Sequence, residues 1–178
     1  MGQVRLHKTM SLIESAEAFA RAKNSDINFC KSIVFRLKSI GVNDEQILCC
    51  AFLCYANSSF DEIHTRFGRE IATIVTSISK DITLPRQKQE EQYIKQLQDA
   101  PWESVLIKLC EISATLKILK DSVLSKTKRG KILKQNVHHL NVLKKKISEN
   151  KDKTPGIEKL LDGANETLIH FKQRPISF

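Results

Sequence analysis

The five cysteines are the residues of this chain best suited to bind a soft metal ion. Cys49, Cys50 and Cys54 lie close together in the sequence, and Cys110 directly precedes Glu111. Their spacing is not that of a zinc knuckle, and the adjacent Cys49 and Cys50 would point in different directions on a helix. An odd number of cysteines within apolar segments is typical of reduced, buried thiols. The sequence therefore predicts free thiols and no cysteine-bound metal.

Histidine and glycine residues do not form a recognisable catalytic arrangement either. His138 and His139 are adjacent, so on a helix their side chains diverge by about 100° and joint ligation of a metal is not expected. No Ser-His-Asp or Cys-His arrangement can be identified, and the six glycines are scattered rather than grouped in a phosphate-binding loop. The sequence thus predicts no catalytic residue and no cofactor.

Positive charge is concentrated in one segment of the chain. The net charge is +9, and residues 1–116 carry 14 basic and 14 acidic side chains. Residues 117–153 carry 12 basic and 3 acidic side chains, whereas residues 154–178 carry 3 of each. An anionic partner, either a nucleotide or an acidic macromolecule, is therefore expected to contact residues 117–153.

Two basic clusters lie within that segment. The first is predicted to be a loop that opens a helix and contains Lys126, Lys128, Arg129 and Lys131; the second, residues 144–146, is predicted to close the same helix. A helix dipole favours cations at its C-terminus and disfavours them at its N-terminus, so the first cluster is the candidate anion site. The alternative is that these basic side chains form a solvated surface and bind no anion. Residues 117–153 contain no aromatic ring on which bases could stack, so nucleic-acid binding there would be non-specific.

Composition places the chain among globular proteins. Hydrophobic residues make up 41% of it, with only four prolines and six glycines, which predicts a single domain over residues 1–178. No apolar run approaches the length of about 20 residues that spans a bilayer. Residues 1–8 contain no uninterrupted apolar stretch for a signal peptide. A cytoplasmic protein without membrane contact is expected.

Helical periodicity recurs along the chain, and no alternating strand pattern of useful length is found. The segment at 43–54 is apolar on nearly every side, which predicts a central buried helix. The predicted fold class is therefore all-α, with a C-terminal helix and tail at 157–178. Helices are predicted at 11–23, 27–40, 43–54, 60–67, 70–79, 87–97, 102–119, 131–148 and 157–171.

Three segments occur in an order and spacing typical of one enzyme family. They are FDEIHTRFGREI at 60–71, ISKDITLP at 78–85 and VLIKLCE at 105–111, with weaker support from GAN at 163–165 and FKQR at 171–174. Together they resemble the HD-domain hydrolases of the RelA/SpoT group, and most nearly the metazoan SpoT homologues. The resemblance covers residues 12–120 and the C-terminal helix, and it implies a compact, HD-domain-like helical bundle.

The chemistry of that family implies a divalent metal held by His, His-Asp and Asp, which activates water for attack on a phosphate ester. By this resemblance the ligand positions are occupied here by Phe29, Cys54, Tyr55 and Glu111. The family's water-activating Glu-Asp pair is missing after Tyr55. Only Glu111 keeps a ligand-type oxygen, and one carboxylate does not hold a catalytic metal. No metal is expected, and the degenerate site is predicted to be a largely apolar core.

Lys80 and Lys117 match positions that could contact phosphate, although solvated surface lysines are the alternative for both. The sequence as a whole predicts a catalytically inactive HD-domain protein, similar to ppGpp hydrolases, that serves as a binding or regulatory module. One alternative is a non-specific nucleic-acid-binding protein that uses residues 117–153. Another is a residual hydrolase with an altered metal site made of Glu111 and cysteines.

Overall fold

Helices account for all the regular structure in residues 10–178, the part of the chain that the computed structural model describes. The prediction made for residues 1–8 lies outside these residues. The all-α prediction is confirmed, and no described helix is long and apolar enough to cross a membrane. The helices are α1 (Leu12–Ala22), α2 (Ile27–Ser39), α3 (Glu45–Leu53), α4 (Phe60–Phe67), α5 (Arg69–Ser77), α6 (Arg86–Asp99), α7 (Trp102–Lys120), α8 (Lys126–Asn150) and α9 (Ile157–His170), with a short 3-10 helix at Lys151–Lys153.

Local signals in the sequence fix the first helices. A capping box begins α1: the Ser11 N–H donates to Glu14 Oε2 at 2.8 Å, and the Glu14 N–H donates to Ser11 Oγ at 3.1 Å. The side chain of Asp26 caps α2, and that of Asp44 caps α3. Gly41 follows α2 with a φ of 92°, a conformation that favours glycine. These caps set where each helix enters the core.

Two apolar helices, the short α3 and the long α7, form the centre of the bundle. α3 is buried at six consecutive positions from Leu48 to Leu53, as its all-round apolar pattern predicts. It packs against α1, α2, α5 and α7. α7 is buried along most of its length and also contacts α8 and α9. The residues that follow α3 and those on the inner face of α7 are consequently brought together.

α8 begins at Lys126 rather than at the predicted residue 131. Ser125 starts it, since its Oγ accepts a hydrogen bond from the Lys128 N–H at 3.4 Å. The basic cluster predicted to form a loop therefore lies in the first two turns of the helix, and the loop prediction is wrong.

The prediction that residues 144–146 close α8 is also wrong, because the helix continues to Asn150. Lys146 instead reaches the end of the neighbouring helix α6. Its Nζ donates to the carbonyl of Gln98 at 2.6 Å and to that of Ala100. A cation at a helix C-terminus is favourable, as expected, but the helix that it caps is α6.

Gly156 allows α9 to begin in direct contact with the end of α2. A Cβ atom at this position would lie 2.6 Å from both the Cα and the carbonyl oxygen of Ile40. Because both of these are backbone atoms, the contact cannot be relieved by a side-chain rotation. We expect Gly156→Ala to lower the free energy of unfolding in urea by about 1–3 kcal/mol, as overpacking of a close contact does.

Gly163 on the same helix is the matched control for this substitution. Nothing lies within 4 Å of a Cβ atom placed there, and the residue is exposed. Gly163→Ala should leave stability unchanged or raise it by up to about 1 kcal/mol, since alanine is the better helix former. Equal stability of the two variants would contradict the close approach at Ile40.

Candidate functional site

The four residues predicted from the family resemblance converge at one place between α2, α3 and α7. Phe29 lies on α2, Cys54 and Tyr55 directly follow α3, and Glu111 lies on α7. The rings of Phe29 and Tyr55 pack edge to face, with centroids 5.4 Å apart. Burial raises the pKa of both Cys54 and Tyr55, and the nearby negative charge of Glu111 raises it further. We call this group the Glu111 centre.

Lys108 supplies a positive charge at the Glu111 centre. Its side chain is only 5% exposed, and its Nζ donates to both carboxylate oxygens of Glu111, at 2.9 and 3.0 Å. The ammonium also lies 5.2 Å from the centroid of the Tyr93 ring, which faces it as a cation–π partner. The predicted apolar core is therefore wrong in part, since an ion pair lies within it. The sequence feature that could have identified Lys108 as part of the site is its position in the apolar run of α7, three residues before the acidic Glu111.

Burial and charge fix the protonation states at the Glu111 centre. Burial raises the pKa of the Cys54 thiol well above its usual value, and the nearby Glu111 raises it further. Burial and the nearby Glu111 also raise the pKa of the Tyr55 phenol. Burial lowers the pKa of Lys108, but the attraction of Glu111 and Tyr93 outweighs burial and raises it. At neutral pH the centre thus contains a thiol, a phenol and a charged lysine.

A second polar cluster lies beside the first and joins α6 to α8. Glu90 accepts hydrogen bonds from Lys80 Nζ at 2.6 Å and from His139 Nε2 at 3.0 Å. Tyr93 lies between the clusters: its ring is 4.9 Å from Lys80 Nζ and packs edge to face on His139 at 5.3 Å. Lys80, a predicted phosphate contact, thus already has a carboxylate partner within the chain.

The adjacent residues His138 and His139 differ in exposure, as expected for neighbours whose side chains diverge by about 100° on a helix. His139 is buried, and His138 is exposed. Burial and the nearby Lys108 lower the pKa of His139 to about 4. Burial raises the pKa of Glu90, but the hydrogen bonds from Lys80 and His139 outweigh burial and lower it to about 2. At neutral pH the cluster therefore holds a carboxylate and a neutral imidazole.

The residues at the Glu111 centre do not fit a divalent metal. Both oxygens of the carboxylate are occupied by the Lys108 ammonium, which would repel a second cation. Among the described residues, no group of three or more His, Cys, Asp or Glu side chains is arranged to hold a metal. All five cysteines are free, four of them are buried, and burial raises the pKa of each thiol. The prediction of buried free thiols is confirmed for those four.

Apart from Lys80, most of the predicted basic contacts are solvent-facing cations. Lys117 on α7 and Lys126, Lys128 and Lys131 on α8 are exposed, and Arg129 is half-buried. Within residues 10–178, no carboxylate lies within ion-pairing distance of any of these five side chains. Four of them lie together in the first two turns of α8, where no carboxylate of the described residues neutralises their charges.

The architecture is similar to that of a solved structure of a metazoan ortholog of SpoT, a protein that hydrolyses ppGpp and plays a role in starvation responses. The two structures superpose with a TM-score of 0.73 over 92% of this chain and 97% of the other. This chain has the HD-domain fold. The sequences are 16% identical, so the similarity establishes the HD fold alone. No protein-family model and no curated protein sequence matches the chain.

Proposed function

We propose that this protein is a catalytically inactive HD-domain protein, similar to ppGpp hydrolases, that acts as a binding or regulatory module for an anionic partner. The single observation that carries the proposal is the buried ion pair, in which the Lys108 ammonium occupies both oxygens of Glu111. In this proposal Phe29, Cys54, Tyr55 and Glu111 stand at the former ligand positions, and Lys108 supplies the positive charge that a metal would bring.

The chemistry of an ammonium group explains why such a centre would not hydrolyse phosphate esters. A divalent metal has open coordination positions and lowers the pKa of a bound water to generate a nucleophile. The Lys108 ammonium can donate hydrogen bonds, but it cannot coordinate a water molecule or ionise it. It does neutralise Glu111, so the carboxylate is not left buried without a counter-charge. The centre thus keeps the electrostatic effect of a cation and loses its catalytic effect.

The protonation state of Cys54 supports the same conclusion. A cysteine binds metal as the thiolate, and burial together with Glu111 strongly disfavours that form. A residual hydrolase built from Glu111 and Cys54 would have to displace Lys108 and also ionise the thiol. The free thiols further suit a reducing compartment, and we propose that the protein is cytoplasmic.

A hydrolysis assay combined with metal analysis tests the proposal. The full chain is incubated with ppGpp and with Mn²⁺, Mg²⁺ or Zn²⁺ in turn, and release of pyrophosphate is followed beside an active metazoan ppGpp hydrolase. We expect no release above the protein-free blank and no stoichiometric metal in the purified protein. Turnover that is abolished by Glu111→Gln, together with stoichiometric metal, would overturn the proposal.

A further inference from the structure

The segment after α9, residues 172–178, is anchored to that helix by the side chain of Asn165; we call this segment the tail. Asn165 Nδ2 donates to the carbonyl of Ile176 at 2.9 Å, and Asn165 Oδ1 accepts from the N–H of Ile176 at 2.8 Å. The side chain of Ile176 is also buried. These two hydrogen bonds to one residue fix the position and the direction of the tail backbone at Ile176.

The tail and α8 line an open surface groove of about 540 Å³, which we call the tail cavity. This volume lies in the range of small-molecule sites, about 300–1,000 Å³. None of the nine described residues that line it is acidic, so its positive charges are not neutralised within the wall. Its polar lining is Asn141, Lys144, Lys172, Gln173, Arg174 and Ser177.

The backbone of Lys172 is in an unfavourable conformation for a lysine. α9 ends in a Schellman motif, in which the Lys172 N–H donates to the Ile169 carbonyl at 2.8 Å and the Gln173 N–H to the Leu168 carbonyl at 2.9 Å. The motif puts Lys172 at a φ of 57°, in the left-handed region that glycine usually occupies. The two other non-glycine residues of the described chain with positive φ are Asn24 and Asn57, which tolerate it better.

A strained residue that also lines a cavity points to a role for its side chain. We propose that the tail cavity binds a phosphorylated small molecule, with Lys144, Lys172 and Arg174 contacting its phosphate groups. The guanidinium of Arg174 can contact two phosphate oxygens at once, and the lysines add point charges. Val137, Pro175 and Ile176 offer an apolar wall to the remainder of the ligand. This site is distinct from the Glu111 centre, so its failure would leave the proposed loss of catalysis standing.

Calorimetric titration of the full chain at low salt tests the site, with inorganic pyrophosphate and ADP as probes. We expect one site per chain and about tenfold weaker binding of both probes in Lys144→Gln and in Arg174→Gln, the effect of losing a charge-assisted hydrogen bond. Lys145→Gln is the matched control, because Lys145 is the next residue of α8 but is 88% exposed and does not line the cavity. It should bind both probes like the parent chain.

Lys172→Gly separates a binding role from a structural one. Glycine relieves the strain at this position, so the melting temperature should rise by about 2 °C or more while pyrophosphate binding weakens. Unchanged binding in Lys172→Gly would overturn the proposal, and so would the absence of binding by both probes.

A short single-stranded RNA is titrated in parallel. The proposal fails if neither small probe binds and if Lys145→Gln weakens RNA binding as much as Lys144→Gln does. In that case the overall positive charge of α8 is responsible for RNA binding.

Discussion

Replacing Lys108 with methionine is expected to lower the free energy of unfolding by about 3 kcal/mol, the lower end of the range for breaking a buried ion pair. The variant keeps a long apolar side chain in the same space but leaves Glu111 without either of its two lysine hydrogen bonds. The effect lies at the lower end because the Glu111 side chain keeps 23% exposure to water. Urea unfolding of the parent chain and the variant at pH 7 measures this loss in the free energy of unfolding.

Lys117→Met is the matched control on the same helix. Lys117 is exposed, so its substitution should change stability by less than about 0.5 kcal/mol. The double variant Lys108→Met/Glu111→Met should recover most of the loss, since an apolar pair of similar volume removes the uncompensated charge. A loss below about 1 kcal/mol in Lys108→Met alone would show that water or another group neutralises Glu111, and the account of the centre would then be wrong.

Stability is also expected to fall as the pH is lowered from 6.5 to 4, because of His139. Burial and the nearby Lys108 lower its pKa from the ordinary value of 6.5 to about 4. Between these values the unfolded chain binds a proton that the folded chain does not, so acidification favours unfolding. Each pH unit of the shift corresponds to about 1.4 kcal/mol, which gives a loss of up to about 3 kcal/mol in total.

His139→Gln removes this titration and keeps a hydrogen-bond donor for Glu90. The loss of stability between pH 6.5 and pH 4.5, measured in urea, should therefore be smaller in this variant than in the parent chain. The separate contribution of Glu90, whose pKa is lowered from 4.5 to about 2, remains in both chains and is lost at lower pH. The exposed neighbour provides the control: His138→Gln should retain the full pH dependence. Identical pH dependence in the parent and His139→Gln chains would contradict the assignment.

Local sequence signals predicted much of the fold because they act within one turn of a helix. The Ser11–Glu14 capping box and Gly41 after α2 act in this way at the ends of helices predicted at 11–23 and 27–40. The start of α8 was missed because Lys128 stands where a capping box would have an acid, and cations at a helix N-terminus oppose its dipole. The contact of Lys146 with the end of α6 depends on how two distant helices pack, and no local pattern encodes that.

The sequence predicted part of the candidate site, as it predicted part of the fold. The family resemblance selected Phe29, Cys54, Tyr55 and Glu111, and the structure brings them together. Lys108 was missed, although its spacing from Glu111 allows a pair on one helix face, because burial of that face is set by tertiary packing. The tail cavity was not predicted either, since the Asn165 contacts that shape it join residues eleven positions apart across a loop.

The ion pair of the Glu111 centre has a consequence for biosynthesis. Lys108 and Glu111 lie on one turn of α7, so the ribosome delivers the cation together with the carboxylate that it neutralises. A protein whose centre requires a metal must instead obtain its cation from the cellular metal pool after translation, in competition with other proteins. This chain is therefore expected to reach its final fold at the same yield in metal-starved cells, or in a chelating buffer, as in metal-replete ones.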